Sequence, residues 1–374
     1  MKPALFLLIV ALYLVASGYI AARVCRVFKY RPKSWRIAVW VAVLLLDASF
    51  FLLRGLSSDW VMLNRVVYFV STTWMPVVLY GSLMLCVMDI ARNLLVWTRG
   101  EDPYHTPWSV KCATALSAIL LAWGYIVAIT PEETRYTVYT DKLEAGRELT
   151  VALVSDLHSG YAITRSDISK LAKLVNDGNA DMTIICGDLV DGDLAPVLKE
   201  DILAPLAKIN SPLGVFAVLG NHDYFDDPDA ASRYIGGLKD VTLLRDSVAV
   251  AGPFRIIGRE DVIGARLAGV ERRDIADFGR ADSLFTIVAD HQPSGIKDAV
   301  DAGADLSVSG HTHGGQLWPI NIITKRVFDF DYGCACYGST TAIVTSGFGT
   351  WGPRVRLGSN AEVVFIDIKG TSRK

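Results

Sequence analysis

A bundle of four membrane-spanning helices followed by a layered α/β domain is the fold class this sequence predicts, and three observations predict it. About the first 130 of its 374 residues hold four long apolar runs, whereas the remainder reads as an ordinary mixed chain. Past that step, short β-rich runs alternate with helical stretches. Each of several such runs stops at a polar cluster, and five of the six histidines of the chain lie in these clusters. The expected organisation is a four-span domain over 1–130, a linker with a first strand over 131–148, and the α/β domain over 149–374.

The apolar runs lie at about 4–22, 37–53, 66–89 and 112–129, each near the roughly 20 residues that cross a bilayer. Four core helices of a soluble domain are a poor rival, because these runs leave almost no polar face to meet water. Orientation follows from Lys and Arg. The connection at 23–36 carries six and that at 91–111 three, against two at 54–65 and only Lys2 before the first run. The first and third connections are therefore expected in the cytoplasm, with both chain ends and the α/β domain outside, at the inner (plasma) membrane of a bacterium. A cleaved signal peptide would turn the remaining helices against this bias. Asp47, inside the second run, is expected to make a contact within the bundle, and Pro76 a kink.

In the second half, "YTVYT" reads as a strand leaving the membrane. Five runs then end alike: "LTVALVSDLH" (149–158), "DMTIICGDLVD" (181–191), "GVFAVLGNHD" (214–223), "LFTIVADHQP" (284–293) and "DLSVSGHTHGG" (305–315). Helical segments are expected near 165–177, 195–208, 229–238 and 295–303. In such folds the strand ends share a rim where ligands gather. Residues up to about 150 apart should therefore meet.

The clusters supply Asp156, His158, Asp188, Asp191, Asn221, His222, Asp223, His291, His311 and His313; His105 falls in a connection. Singly, an Asp or Asn after a strand is usually a turn former or helix cap, and a lone His a satisfied surface or core residue. Together they form a set of carboxylate, amide and imidazole donors without thiolate, which suits Mn, Fe or Zn. They are too many for one tetrahedral ion and suit two ions sharing a carboxylate, about 3.5–4 Å apart. Such a pair clamps the oxygens of an in-line phosphoryl displacement and makes hydroxide available at neutral pH. Gly310, Gly314 and Gly315 let the backbone turn sharply enough to aim His311 and His313 into one cavity.

The ordered series "SDLH", "GDLVD", "GNHD", "DHQP" and "GHTHGG" resembles the calcineurin-like metallophosphoesterases, over about residues 149–316. The tail from Val344 resembles the closing strands of their membrane-associated bacterial branch. The resemblance implies an α/β/β/α sandwich. It implies Asp156, His158 and His313 on one ion, Asn221, His291 and His311 on the other, and Asp188 bridging. It further implies His222 as proton donor to the leaving oxygen, Asp223 orienting it, and Asp191 as a supporting carboxylate. Asp290 departs from the pattern, which usually has a small residue there, and is expected to accept a hydrogen bond near the second ion.

Other classes fit less well. An amidohydrolase places its H-x-H on the first strand, not the last, and a zinc deaminase needs P-C-x-x-C, which is absent. A net charge of -2 gives no basic field for nucleic acid. The six cysteines show no metal-ligand spacing, and Cys334 and Cys336, one residue apart, suggest free thiols or separate environments, so cysteine says little about the redox compartment. The alternative is a catalytically silent membrane sensor or scaffold, against which His222 stands, since metal binding does not require it. The expected activity is hydrolysis of phosphoester or diphosphate bonds. Anchoring favours lipid-linked substrates and lipid contact, with Trp318, Phe328, Phe330 and Tyr332 able to face the bilayer, a pocket or the core.

Overall fold

The computed structural model describes residues 3–53, 56–99, 106–279 and 283–372. His105 and Arg54, expected in connections, lie outside the described residues. The chain divides into two compact units, Met1–Ile126 with Gly352–Val355 and Val127–Trp351 with Arg356–Lys374.

Four helices make up the first unit: α1 (Pro3–Val27), α2 (Lys33–Leu53), α3 (Val61–Arg99) and α4 (Thr106–Ile129). All four are long and apolar enough to cross a membrane. α3 is longer than the run at 66–89 expected from hydropathy, with 39 residues, because nothing in "ARNLLVWTR" stops a helix. Arg92 thus belongs to a helix that the sequence reading ends at 89. Asp47 makes the expected contact inside the bundle, accepting from Ser17 Oγ at 2.8 Å and from Trp74 Nε1 at 2.7 Å. A second ionic contact was not legible: Arg23 pairs with Asp89 at 2.6 Å and donates to Ser109 Oγ.

The second unit contains strands β1 (Glu132–Thr140), β2 (Glu148–Val154), β3 (Met182–Cys186), β4 (Val215–Val218), β5 (Val241–Leu243), β6 (Ser247–Ala251), β7 (Phe254–Gly258), β8 (Phe285–Ala289), β9 (Leu306–Ser309), β10 (Gly333–Tyr337), β11 (Thr340–Val344) and β12 (Glu362–Gly370). Its helices are α5 (Arg165–Asp177), α6 (Leu194–Glu200), α7 (Pro228–Gly236), α8 (Val262–Ala268), α9 (Ile296–Asp301) and α10 (Ile320–Val327). The strands form two six-stranded sheets, ordered β1-β12-β2-β3-β4-β5 and β10-β11-β9-β8-β7-β6.

The period-two pattern of each strand decides which core it feeds. In β2, Val151 and Leu153 enter the core between the sheets, meeting Phe254, Phe285, Ile287 and Val308 of the second sheet. Their neighbours Ala152 and Val154 enter the core beneath the helices, with Ile168, Leu171 and Val175 of α5. On the outer face of the second sheet, Val288 packs with Ala299 of α9. The layers are therefore α/β/β/α, with apolar packing on both faces of both sheets.

The five polar clusters follow five parallel strands, but those strands are not in one sheet. β2, β3 and β4 pair in parallel in the first sheet, while β8 and β9 pair in parallel in the second. The clusters meet where the C-terminal ends of both sheets come together: Asp156 N donates to Gly187 O within the first sheet, and Gly310 N to His291 O within the second. The turn after β9 then crosses over, with His311 N donating to Asp156 Oδ2 at 3.0 Å.

Candidate metal centre

Local backbone geometry puts the clusters where they are. Asp156, His158, Asp188, His311 and His313 all have positive φ, at 56°, 47°, 52°, 71° and 52°. Non-glycine residues seldom adopt that region, and such strain gathers at functional sites held by their surroundings. Two glycines make the close approach possible. A Cβ at Gly310 would overlap Ser155 Oγ and Asp156 Oδ2, and one at Gly187 would overlap the His291 ring.

Two groups of donors result. Asp156, His158 and His313 offer ligand atoms within 4.8 Å of one another, as do Asp188, His291 and His311. In the first, His158 Nε2 and His313 Nε2 are 3.0 Å apart, and Asp156 Oδ1 lies 3.3 Å from the latter. In the second, His291 Nε2 is 3.2 Å from Asp188 Oδ2. The same Asp188 oxygen is 3.7 Å from His158 Nε2, so one carboxylate touches both groups. Asn221 follows Gly220, where a Cβ would overlap Asp188, and precedes His222, whose N–H donates to Asp188 Oδ1 at 2.8 Å.

Ring orientation is set from behind, which is how metal-ligating imidazoles are usually fixed. His291 Nδ1 donates to Cys186 O at 2.8 Å, and His158 Nδ1 to Asp191 Oδ1 at 3.1 Å. In the neutral, metal-binding form of each ring this leaves Nε2 as the nitrogen with a free lone pair, turned toward the groups above.

The donor set fits divalent cations. Asn221 Oδ1 and His291 Nε2 are buried without a hydrogen-bond partner, a costly arrangement unless an ion takes their lone pairs. His311 is pushed down to about 4 by burial and by His291. Burial, His158 and Arg356 hold His313 well below the usual imidazole range, so both rings are neutral donors at pH 7. Despite burial, His291 and His222 hold the Asp188 carboxyl well below its usual range. Burial likewise opposes ionisation of Asp191, yet His158 and His222 bring it down to about 2. Ionised carboxylates buried this deeply need counter-charge. Cys186 does not compete as a ligand: burial raises its thiol, which donates to Val308 O.

His222 stands at the edge of this cluster, its side chain 14% exposed. Its ring is perpendicular to that of His158, with centroids 4.7 Å apart. Asp223, expected from the sequence to orient His222, instead accepts from Gly220 N and Val190 N, both at 2.8 Å. It ties the turns after β3 and β4 together, because its short side chain folds back on its own 3₁₀ turn. Burial and the nearby Asp188 raise it to about 7. The carboxylate beside His222 is Asp191, whose Oδ1 is 3.4 Å from Nδ1. Asp191, His158 and His222 also lie close enough to hold an ion, but His158 Nδ1 is committed there as a donor to Asp191, so we read Asp191 as a support for His158. Asp290 pairs with Arg272, which neutralises it beside His291.

Sequence reading missed Arg356. Its side chain is fully buried. Its guanidinium donates to the carbonyls of Ser346 (2.8 Å), Gly347 (3.0 Å), Gly349 (2.6 Å) and Asn360 (2.9 Å). Nη2 lies 3.5 Å from His313 Nδ1. The loop so bound is the one whose Gly349 N–H donates to Asp156 O. Two arginines in "GPRVRLG" were the only signal, and nothing in that pattern says which is buried. Arg356→Met should destabilise the domain by about 3–5 kcal/mol, since it leaves several buried carbonyls unpaired. Thermal unfolding in detergent measures this; an unchanged midpoint would mean that other donors reach those carbonyls.

A rim of rings surrounds the cluster. Phe225 and Trp351 lie 4.6 and 6.4 Å from the His222 ring, and Phe328 lies 5.7 Å from that of His311.

Comparison with known proteins places these residues in context. A profile of the family described as calcineurin-like phosphoesterase matches residues 149–315. A metallophosphoesterase of Helicobacter pylori is 31% identical over 244 residues, 63% of this chain and 63% of that protein, so this chain spans under two thirds of that relative's length. One of Aquifex aeolicus is 30% identical over 260 residues, 68% of this chain and 98% of the relative. A transmembrane protein with metallophosphoesterase domain from Bos taurus is 28% identical over 392 residues, 96% of this chain and 87% of the relative. Similarity thus reaches bacterial and animal proteins alike, and the bacterial branch expected from the tail is not singled out.

Proposed function

Since this chain belongs to the calcineurin-like phosphoesterases, we propose that it hydrolyses phosphoester or diphosphate bonds at a pair of divalent ions, Mn, Fe or Zn. The observation that carries the reading is the Asp188 Oδ2 atom, 3.2 Å from His291 Nε2 and 3.7 Å from His158 Nε2. Asp156, His158 and His313 would hold one ion and Asn221, His291 and His311 the other, with Asp188 placed to serve both. When bound, such a pair neutralises phosphoryl oxygens and acidifies water.

The residues of the chain do the rest. Asp191 keeps a proton on His158 Nδ1, so that Nε2 stays a ligand. With its Nδ1 beside Asp191, His222 has Nε2 left to protonate the departing oxygen. The rings of Phe225, Trp351 and Phe328 beside His222 and His311 suit an apolar group attached to the phosphate, which favours lipid-linked or aryl esters. The test is hydrolysis of an aryl phosphate and a bis-aryl phosphate by the full chain with added Mn; equal rates from the protein and from Asp188→Ala would refute the reading.

The charge bias of the connections supports a catalytic domain on the extracytoplasmic face. An impermeant label added to intact cells should modify residues beyond 131. Complete protection there, in cells whose outer face is labelled normally, would reverse the orientation.

A further inference from the structure

The helix α10 begins seven residues after His313 and is polar on the side that meets the domain. Thr324 Oγ1 donates to Asp331 Oδ2 at 2.7 Å, and Asn321 packs so closely on Gly315 that a Cβ there would overlap it. Ile320, Ile323 and Val327, spaced as one helical face, are turned outward and are 40%, 59% and 67% exposed. Ile322 and Trp318 are also exposed, at 49% and 50%, and no residue of α10 is buried. Burial within the domain therefore does not account for this face. An eight-residue helix draws little stability from its own propensity, so such a face is expected to have a partner.

Three observations identify the partner as a lipid surface. Four apolar helices of the same chain keep the domain within reach of a bilayer. Lys325 and Arg326, exposed in the last turn, complement anionic headgroups, while Asp329 lies beyond the helix end and Asp331 is turned inward to Thr324. Exposed Trp318 and Tyr332 flank the helix, as aromatic residues do at membrane interfaces. The surface is also continuous with the metal centre, because Phe328, directly after α10, packs edge-on against His311.

We propose that α10 docks on the membrane, with Ile320, Ile323 and Val327 in the interfacial layer and Lys325 and Arg326 against phosphate headgroups. Docked there, it sets the metal centre at the depth of a lipid-borne phosphate, a role that rests on the phosphoesterase reading given above. The contact itself does not depend on catalysis.

The test uses the full chain in vesicles of phosphatidylcholine and phosphatidylglycerol, with the photoreactive residue p-benzoylphenylalanine replacing Ile323 and, as a comparison, the exposed Lys173 of α5. A lipid adduct at position 323 at least about tenfold above that at 173 is expected, falling about threefold when Lys325→Gln and Arg326→Gln are combined. Equal yields at the two positions, no lipid adduct at 323, or adducts there only to a second copy or to the chain's own helices would overturn the proposal. Hydrolysis of p-nitrophenyl phosphate by the same preparations separates the two readings. Lost hydrolysis in the unsubstituted protein sinks the enzyme and leaves docking standing, whereas intact hydrolysis without the lipid adduct sinks docking alone.

Discussion

Asp188→Ala should lower hydrolysis of an aryl phosphate by more than about a thousandfold and strip the protein of metal. One Asp188 oxygen lies within 3.7 Å of imidazole nitrogens from both donor groups, so its loss weakens both at once. Charge points the same way: the carboxylate is ionised in spite of burial, and without it the buried imidazoles face a cation with one negative partner fewer. Asp188→Asn separates charge from shape. Its amide can still accept from His222 N, which bonds Asp188 Oδ1 at 2.8 Å in the parent protein, so the fold should persist while metal content falls. Rates and metal content measured on the same preparations check this. Full metal occupancy in Asp188→Asn would show that the other donors suffice.

His222→Ala should have the second largest effect, a loss of about 10²–10⁴ in rate with metal content unchanged. The ring is at the edge of the cluster, partly exposed, and its Nδ1 faces Asp191 rather than either donor group's centre. If it protonates the leaving oxygen, the loss should grow with the basicity of the leaving group, being smaller for nitrophenyl than for alkyl esters. An equal loss across such a series would assign His222 to charge stabilisation instead. Loss of metal would make it a ligand.

Much of the candidate metal centre is legible because its donors sit in short strand-turn units. "GDLVD", "GNHD" and "GHTHGG" carry both the donors and the glycines that let the backbone turn, and "SDLH" carries donors, so residue type and local conformation agree. The supporting side chains are less legible. Asp191 and Asp223 each follow a strand-end motif, and spacing does not tell which of them reaches His222 across to another turn. Arg356 is a surface residue by composition, and it is buried only because three carbonyls of the 346–349 loop converge on it. Likewise, the partner of Asp290 is Arg272, on a separate segment.

Hydropathy along the chain determined the four apolar helices, since crossing a bilayer depends on length and composition within one segment. Strand-end chemistry likewise determined the set of donors. Only the tertiary structure decided that β2, β3 and β4 belong to one sheet and β8 and β9 to another, so that the centre forms at the seam between two sheets rather than along one rim. It also decided that α10 turns its apolar side outward. The physical reason is common to both: period and residue type say which side of an element is apolar, but which surface meets that side depends on contacts between residues far apart in the chain.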